Sequence, residues 1–260
     1  EMKQYYAVSL NEEDNSETLS DNHGTTANVT LTNRTLYQDG KWNTLCLPFD
    51  VELEGSPLEG ATLKEFTDAS FGDGTLTLNF NDATSIKAGQ AYLIKWDSGD
   101  NIVSPKFEGV TINKTLRDDD ISTNDDGTAS ITFLGTYAKK SFDADDKTVL
   151  YITGDGKFHY PQSGASIGAQ RAYFQLTGLT AGDVSTSRIV LDLGDGETET
   201  TGIVEMRNEE LEMRNVNEEM RNDGWYDLSG RRVSNGQSST VNGQLKKGIY
   251  IHNGKKIIIK

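Results

Sequence analysis

The residues with chemistry to offer are three histidines, one cysteine, three tryptophans and several acidic clusters, and their spacing limits what each can do. His23 falls in a polar N-terminal loop, His159 in a strand pattern and His252 beside the last hairpin turn. None belongs to a His-Glu-x-x-His or His-x-His pair, the spacings that bring two imidazoles onto one metal, so each reads as a satisfied or solvent-exposed side chain. Cys46 lies in the apolar run Leu45-Cys46-Leu47 with no basic neighbour to lower its pKa, and reads as a small core residue. As the only cysteine it forms no internal disulfide. No Gly-x-Ser-x-Gly elbow leads into a helix, and no carboxylate sits in an aromatic-rich signature of a glycosidase. The expectation is a protein that is not an enzyme.

Acids gather in glycine-containing loops: Asp118 to Asp120, Asp125-Asp126-Gly127, Asp143 with Asp145-Asp146, and Asp192 with Asp195 and Glu197. Hard oxygen ligands of this kind suit Ca²⁺, but the EF-hand order is missing, and acidic turns also end strands and solubilise loop tips. No cofactor is expected, with calcium as the alternative. Tryptophan offers a different chemistry, since its apolar ring face matches the C–H surface of a sugar. Trp42 enters an apolar strand and reads as core, and Trp225 opens the C-terminal hairpin and is expected to seal it against the main body. Trp96 precedes Asp97-Ser98-Gly99-Asp100 and is the one candidate for an exposed ligand-binding platform.

These groups are positioned by strands. Apolar or β-branched runs bounded by Gly, Asp or Asn recur at 27–31, 43–49, 75–80, 91–96, 130–134, 148–153, 171–176 and 188–193. Leu76-Thr77-Leu78-Asn79-Phe80 alternates with period two, so one face is buried and the other wet. Many short strands at close spacing predict an all-β sandwich or jelly roll. It occupies residues 1–200, with 1–26 expected to be poorly ordered. Ala88 to Leu93 and Gly168 to Phe174 echo each other, each a turn entering a strand with Ala-Tyr. Duplication within the sandwich or a shared turn geometry both produce that echo.

Residues 201–222 differ in character. Met-Arg-Asn recurs at Met206, Met213 and Met220 among strong helix formers, with six Glu against three Arg between Glu205 and Arg221. This predicts a short, acidic, solvated helical linker. A disordered insert and a helical dimerisation handle are the alternatives. Residues 223–260 then read as a small β-hairpin unit, because Asn253-Gly254 supplies the positive φ pair of a type I′ turn between two β-rich runs.

That ending, Tyr226-Asp227-Leu228-Ser229-Gly230-Arg231-Arg232-Val233 followed by Lys247 to Lys260, resembles the C-terminal sorting segments of surface and secreted Bacteroidota proteins. The resemblance implies export by the type IX secretion machinery, although the segment is shorter than a full sorting domain. The alternative is a pair of hairpins that completes the preceding sheet. Trp42-Asn43-Thr44-Leu45-Cys46-Leu47-Pro48-Phe49, with Asn28 to Leu31, Arg34 to Tyr37, Leu58 to Thr62, Ala88 to Lys95 and Ile167 to Leu176, is similar to a β module of the same phylum's surface proteins. That likeness implies a surface module without a characterised catalytic activity, and carries over no functional residues.

Charge agrees with this picture. Forty acidic against 25 basic side chains give a formal charge of −15, which repels phosphate backbones and disfavours nucleic-acid partners. No apolar run approaches the roughly 18 residues of a membrane helix. The expected location is extracellular or on the outer-membrane surface, after removal of a leader absent from this sequence. The expected function is a non-catalytic adhesive or structural module whose partner is a host or cell-surface protein or a glycan, with the C-terminus engaging secretion machinery. A carbohydrate-binding module, calcium-stabilised, is the rival.

Overall fold

The computed structural model describes residues 5–72, 75–118, 129–179 and 189–194 in full. It describes the backbone alone at 120–122, 188, 198–201, 225–226, 232–233, 240–241, 244–245, 248–252 and 255–259. The chain divides into two compact units, Glu1–Glu205 and Met206–Lys260.

In the first unit the chain runs through β1 (Tyr6–Leu10), α1 (Ser16–Asp21), β2 (Thr26–Leu31) and β3 (Thr35–Leu36). Next come β4 (Asn43–Cys46), β5 (Val51–Glu52), β6 (Thr62–Gly72), β7 (Thr75–Ala83), β8 (Ser85–Ile86) and β9 (Ala91–Lys95). β10 (Ile102–Val103), β11 (Lys106–Thr111) and β12 (Asp120–Ser122) lead to β13 (Ser130–Thr136), β14 (Lys140–Ser141), β15 (Val149–Ile152) and β16 (Phe158–His159). β17 (Ser166–Ile167), β18 (Arg171–Thr177), β19 (Arg188–Asp192) and β20 (Thr198–Thr201) complete it.

Three sheets make three layers. A six-stranded sheet in the order β20-β19-β7-β6-β9-β4 faces a five-stranded sheet in the order β12-β13-β18-β15-β16. Leu76, Leu78 and Phe80 of β7 point into the space between them, as the period-two pattern requires, and meet Ile131, Phe133, Leu150, Phe158 and Phe174. Phe133 and Phe174 stack at 4.2 Å between ring centroids, and Phe66 and Phe80 meet them edge-on. The other face of the six-stranded sheet packs against the third layer, β1-β2-β11, through Leu45, Leu63, Tyr92 and Ile94 against Val8, Leu10, Val29, Leu31 and Phe107. β9 therefore lies between two cores, which is why Ala91-Tyr92-Leu93-Ile94 is a continuous apolar run: Ala91 and Leu93 serve one core, Tyr92 and Ile94 the other.

The all-β sandwich expected from the sequence is the observed fold class, with one covering layer added. Of the segment 1–26 expected to be poorly ordered, residues 5–26 contribute a strand and a helix to the fold, and residues 1–4 lie outside the described residues. β1 pairs in parallel with β2 along its whole length, and Val8, Leu10 and Leu19 are buried. Polar runs around these few apolar residues hid a strand that needs only one buried face.

The second unit contains β21 (Trp225–Tyr226), β22 (Arg232–Val233), β23 (Thr240–Val241), β24 (Gln244–Leu245), β25 (Gly248–His252) and β26 (Lys255–Ile259). β25 and β26 pair antiparallel with His252 opposite Lys255, and β21 joins β22 and β25 in the same four-stranded sheet. The helical linker expected at 201–222, beyond the strand residue Thr201, lies outside the described residues, as do the side chains of Trp225 and His252.

Candidate functional site

Trp96 is not a platform. Its ring is only 4% exposed, because it continues the alternation of β9 onto the face covered by the β1-β2-β11 layer, and its indole N–H donates to the carbonyl of Glu59 at 3.2 Å. The polar loop that follows it in sequence gave a false impression of exposure. Trp42 is core as expected, with the Lys95 ammonium 4.7 Å from its ring centroid. Cys46 is fully buried, and burial pushes its thiol up to about 12, well away from a reactive thiolate. His23 is exposed and accepts from the Lys114 N–H.

The acidic loops that fall among the described residues serve turns. Asp146 accepts from the N–H and hydroxyl of Thr148 at 2.8 and 2.6 Å, and Asp192 accepts from the Gly194 N–H at 3.0 Å. Among the described residues no group of three or more His, Cys, Asp or Glu is placed to hold a metal ion. Asp125, Asp126, Asp195 and Glu197 lie outside them. Two open grooves flank residues 51–57, lined by Glu52, Glu54 and Glu108 on one side and by Glu54, Thr62 and Asp82 on the other.

Two clusters are brought together that no sequence spacing announced. The first is a polar junction where all three layers meet. Arg34, 1% exposed, donates to the Thr44 carbonyl at 3.2 Å and lies 3.5 Å from the Glu12 carboxylate. Arg171 donates to the same carboxylate oxygen at 2.6 Å. Burial, with Arg171 close by, lowers the Arg34 pKa to about 9 against the opposing pull of Glu12. Asn15 donates to the Tyr137 carbonyl at 2.9 Å, and the Ala169 N–H donates to the Glu12 carbonyl at 3.0 Å. Glu12 and Asn15 thus clamp the N-terminal layer onto the five-stranded sheet. This cluster is architectural: its charges face one another, with Arg34 buried and Glu12 and Arg171 partly exposed.

The second cluster faces outward. On the five-stranded sheet, the face turned away from the Phe133–Phe174 core carries Leu134, Val149, Tyr151, His159 and Tyr173, because these alternate with the core residues along β13, β15, β16 and β18. Phe142 packs over them, 5.6 Å from Tyr151 and 5.1 Å from Tyr173 between ring centroids. Phe142, Tyr151 and Leu134 are half-buried, so their edges reach solvent. Burial raises the pKa of both tyrosines, which keeps their hydroxyls neutral. At the rim, His159 meets both Asp155 oxygens at 3.2 and 3.1 Å. Burial pushes the Asp155 carboxyl up, but the Thr153 hydroxyl, the Lys157 N–H and His159 outweigh it and hold the pKa at about 2.

The half-buried Phe142 and Tyr151 rings, with the buried Tyr173 packed against Phe142, lie beside a histidine–carboxylate pair and form an amphipathic surface. The alternation in Val149-Leu150-Tyr151-Ile152 held the signal, since it puts Val149 and Tyr151 on one face. Which face would be outermost depended on a layer arrangement that the sequence does not encode locally. No known protein family, curated protein or solved structure matches this chain.

Proposed function

We propose that this chain is a non-catalytic adhesive or structural β module acting at the cell surface or in secreted form, and that residues 223–260 serve its export or attachment. The observation that carries the adhesive part is the outward face of Phe142 and Tyr151. The corresponding face of the six-stranded sheet is covered by a third layer, whereas here half-buried rings end at solvent. The structural part draws on the interior: the buried charge of Arg34 is used to join layers, which suits a scaffold that must hold its shape outside the cell.

The export part draws on the pairing of β21, β22, β25 and β26 with one another, in a unit with its own sheet. Deleting residues 225–260 tests it. Surface display or secretion should be lost while the remaining unit still folds, and unchanged display would refute the assignment.

Carbohydrate binding is the second reading, moved from Trp96 to the half-buried Tyr151 and Phe142 rings, whose flat faces offer the same C–H contact. A glycan array separates the two. Binding to defined sugars that Tyr151→Ala removes selects the carbohydrate reading. Attachment to cells that survives enzymatic deglycosylation selects a protein partner.

A further inference from the structure

We infer that residues 43–95 and 130–177 are two tandem copies of one β unit, fused face to face about an internal twofold axis that passes beside Cys46 and Gly135. The strand order β7-β6-β9-β4 within one sheet is repeated as β16-β15-β18-β13 in the other, with the same sequence of connections: first strand, short strand, hairpin, short strand, last strand. In each copy the first strand pairs antiparallel with the last, the two short strands pair with each other, and the hairpin joins the last strand's free side.

The registers agree residue by residue. Leu45 opposite Tyr92 matches Leu134 opposite Tyr173, and Cys46 opposite Ala91 matches Gly135 opposite Ala172. In the short strands, Glu52 opposite Ser85 and Val51 opposite Ile86 match Ser141 opposite Ser166 and Lys140 opposite Ile167. In the hairpins, Phe66 opposite Phe80 matches Ile152 opposite Phe158, the second hairpin being the shorter. The turn before the last strand is also repeated. Gly89 at φ +80° donates its N–H to the Leu47 carbonyl, and Gln170, a non-glycine residue at φ +56°, donates its own to the Thr136 carbonyl. The sequence keeps a trace as Ser85-Ile86-x-Ala88-x-x-Ala91-Tyr92 against Ser166-Ile167-x-Ala169-x-x-Ala172-Tyr173. A shared turn geometry explains the Ala-Tyr echo alone. It does not explain matching registers in three separate strand pairs.

The faces identify the symmetry. Phe80, Leu93, Phe158 and Phe174 all point into the one shared core, while Leu63, Tyr92 and Ile86 and their counterparts Val149, Tyr173 and Ile167 point outward. Stacking by translation would map an inner face onto an outer one; only a rotation that turns the sheet over maps inner onto inner. On such an axis a residue meets its own counterpart, and a Cβ built on Gly135 would lie 2.2 Å from Cys46 Sγ. The arms are exchanged as well. The segment after β1 docks on the second copy, with the Asn15 N–H donating to the Tyr137 carbonyl at 3.2 Å. The segment after β11 docks on the first, with the Asn113 N–H donating to the Pro48 carbonyl at 2.7 Å. Reciprocal arms and a self-complementary face are the marks of an isologous contact, so the partner this unit fits is a second copy of itself.

Exchange of the axial pair in the full chain tests this. Gly135→Cys alone should fail to fold or melt lowest, Cys46→Gly alone should melt below the parent, and Cys46→Gly with Gly135→Cys should recover at least about half of the Tm lost in Cys46→Gly. An exchanged chain that melts below Cys46→Gly, or does not fold, overturns the equivalence of the two positions. A crystal structure of the unaltered chain supplies the second measurement. Superposing 130–177 on 43–95 should need a rotation near 180° and bring Phe158 onto Phe80 and Ile167 onto Ile86; another register or a rotation far from a half-turn overturns the inference.

Discussion

Replacing Glu12 by Gln removes the one carboxylate among the described residues that faces both guanidinium groups of the three-layer junction, and keeps the shape of the side chain. Arg34 is 1% exposed and 3.5 Å from Glu12, and Arg171 touches the same oxygen at 2.6 Å. At an effective dielectric constant near 20, the Arg34–Glu12 attraction alone is about 5 kcal/mol. The Glu12 side chain is 33% exposed, so solvent screens part of it, and a net loss of ~2–3 kcal/mol is expected. For a unit of this size that lowers Tm by roughly 5–10 °C. Arg34→Met removes the buried charge and leaves Glu12 paired with Arg171, so it should cost less than Glu12→Gln even though it deletes the hydrogen bond to the Thr44 carbonyl. Urea unfolding of the two variants beside the parent gives the comparison. A Glu12→Gln chain within about 0.5 kcal/mol of the parent would show that the junction is not an electrostatic clamp.

Gly89→Ala should destabilise by more than about 2 kcal/mol, because its Cβ would lie 2.2 Å from the Thr115 carbonyl oxygen at φ +80°. Gly60→Ala, at φ +78° with open space, should cost only ~1 kcal/mol, and thermal melts of both check the contrast. Trp96→Ala should cost ~3–5 kcal/mol as a cavity in the core and leave binding by the folded protein unchanged; loss of binding at unchanged stability would return it to the surface. Asp155, held at about 2, stabilises the fold above its unfolded value near 3.9, and that contribution is lost as pH falls through about 2. Asp155→Asn should therefore flatten the acid limb of the Tm–pH profile between about pH 4 and 2, and an unaltered limb would refute the assignment.

Strands that bury one or both faces in a core were legible in the sequence. β2, β4, β7, β9, β13, β15, β18 and β19 all fall where apolar alternation or continuous apolar runs place them. β6 was not, because Lys64, Glu65 and Asp68 interrupt its pattern; Lys64 is nonetheless buried, reaching the Leu193 carbonyl and Asp82. β1 and β11 escaped for a related reason: each contributes just two buried side chains to the covering layer. The candidate site was the least legible part. Glu12, Arg34 and Arg171 come from three distant segments, and Tyr151 and Tyr173 look like any other strand tyrosine until the layers are assembled. Trp96 was misplaced because the loop after it is polar, whereas its burial is set by the strand before it.

The adhesive reading turns on the outward rings of the five-stranded sheet, and the most direct measurement is attachment of the intact protein to a cell surface, compared with a chain carrying Phe142→Ala and Tyr151→Ala. Saturable attachment by the parent, and at least about a tenfold loss in the variant with its folded structure retained, is the expected result. Attachment that is equal in both proteins would contradict it.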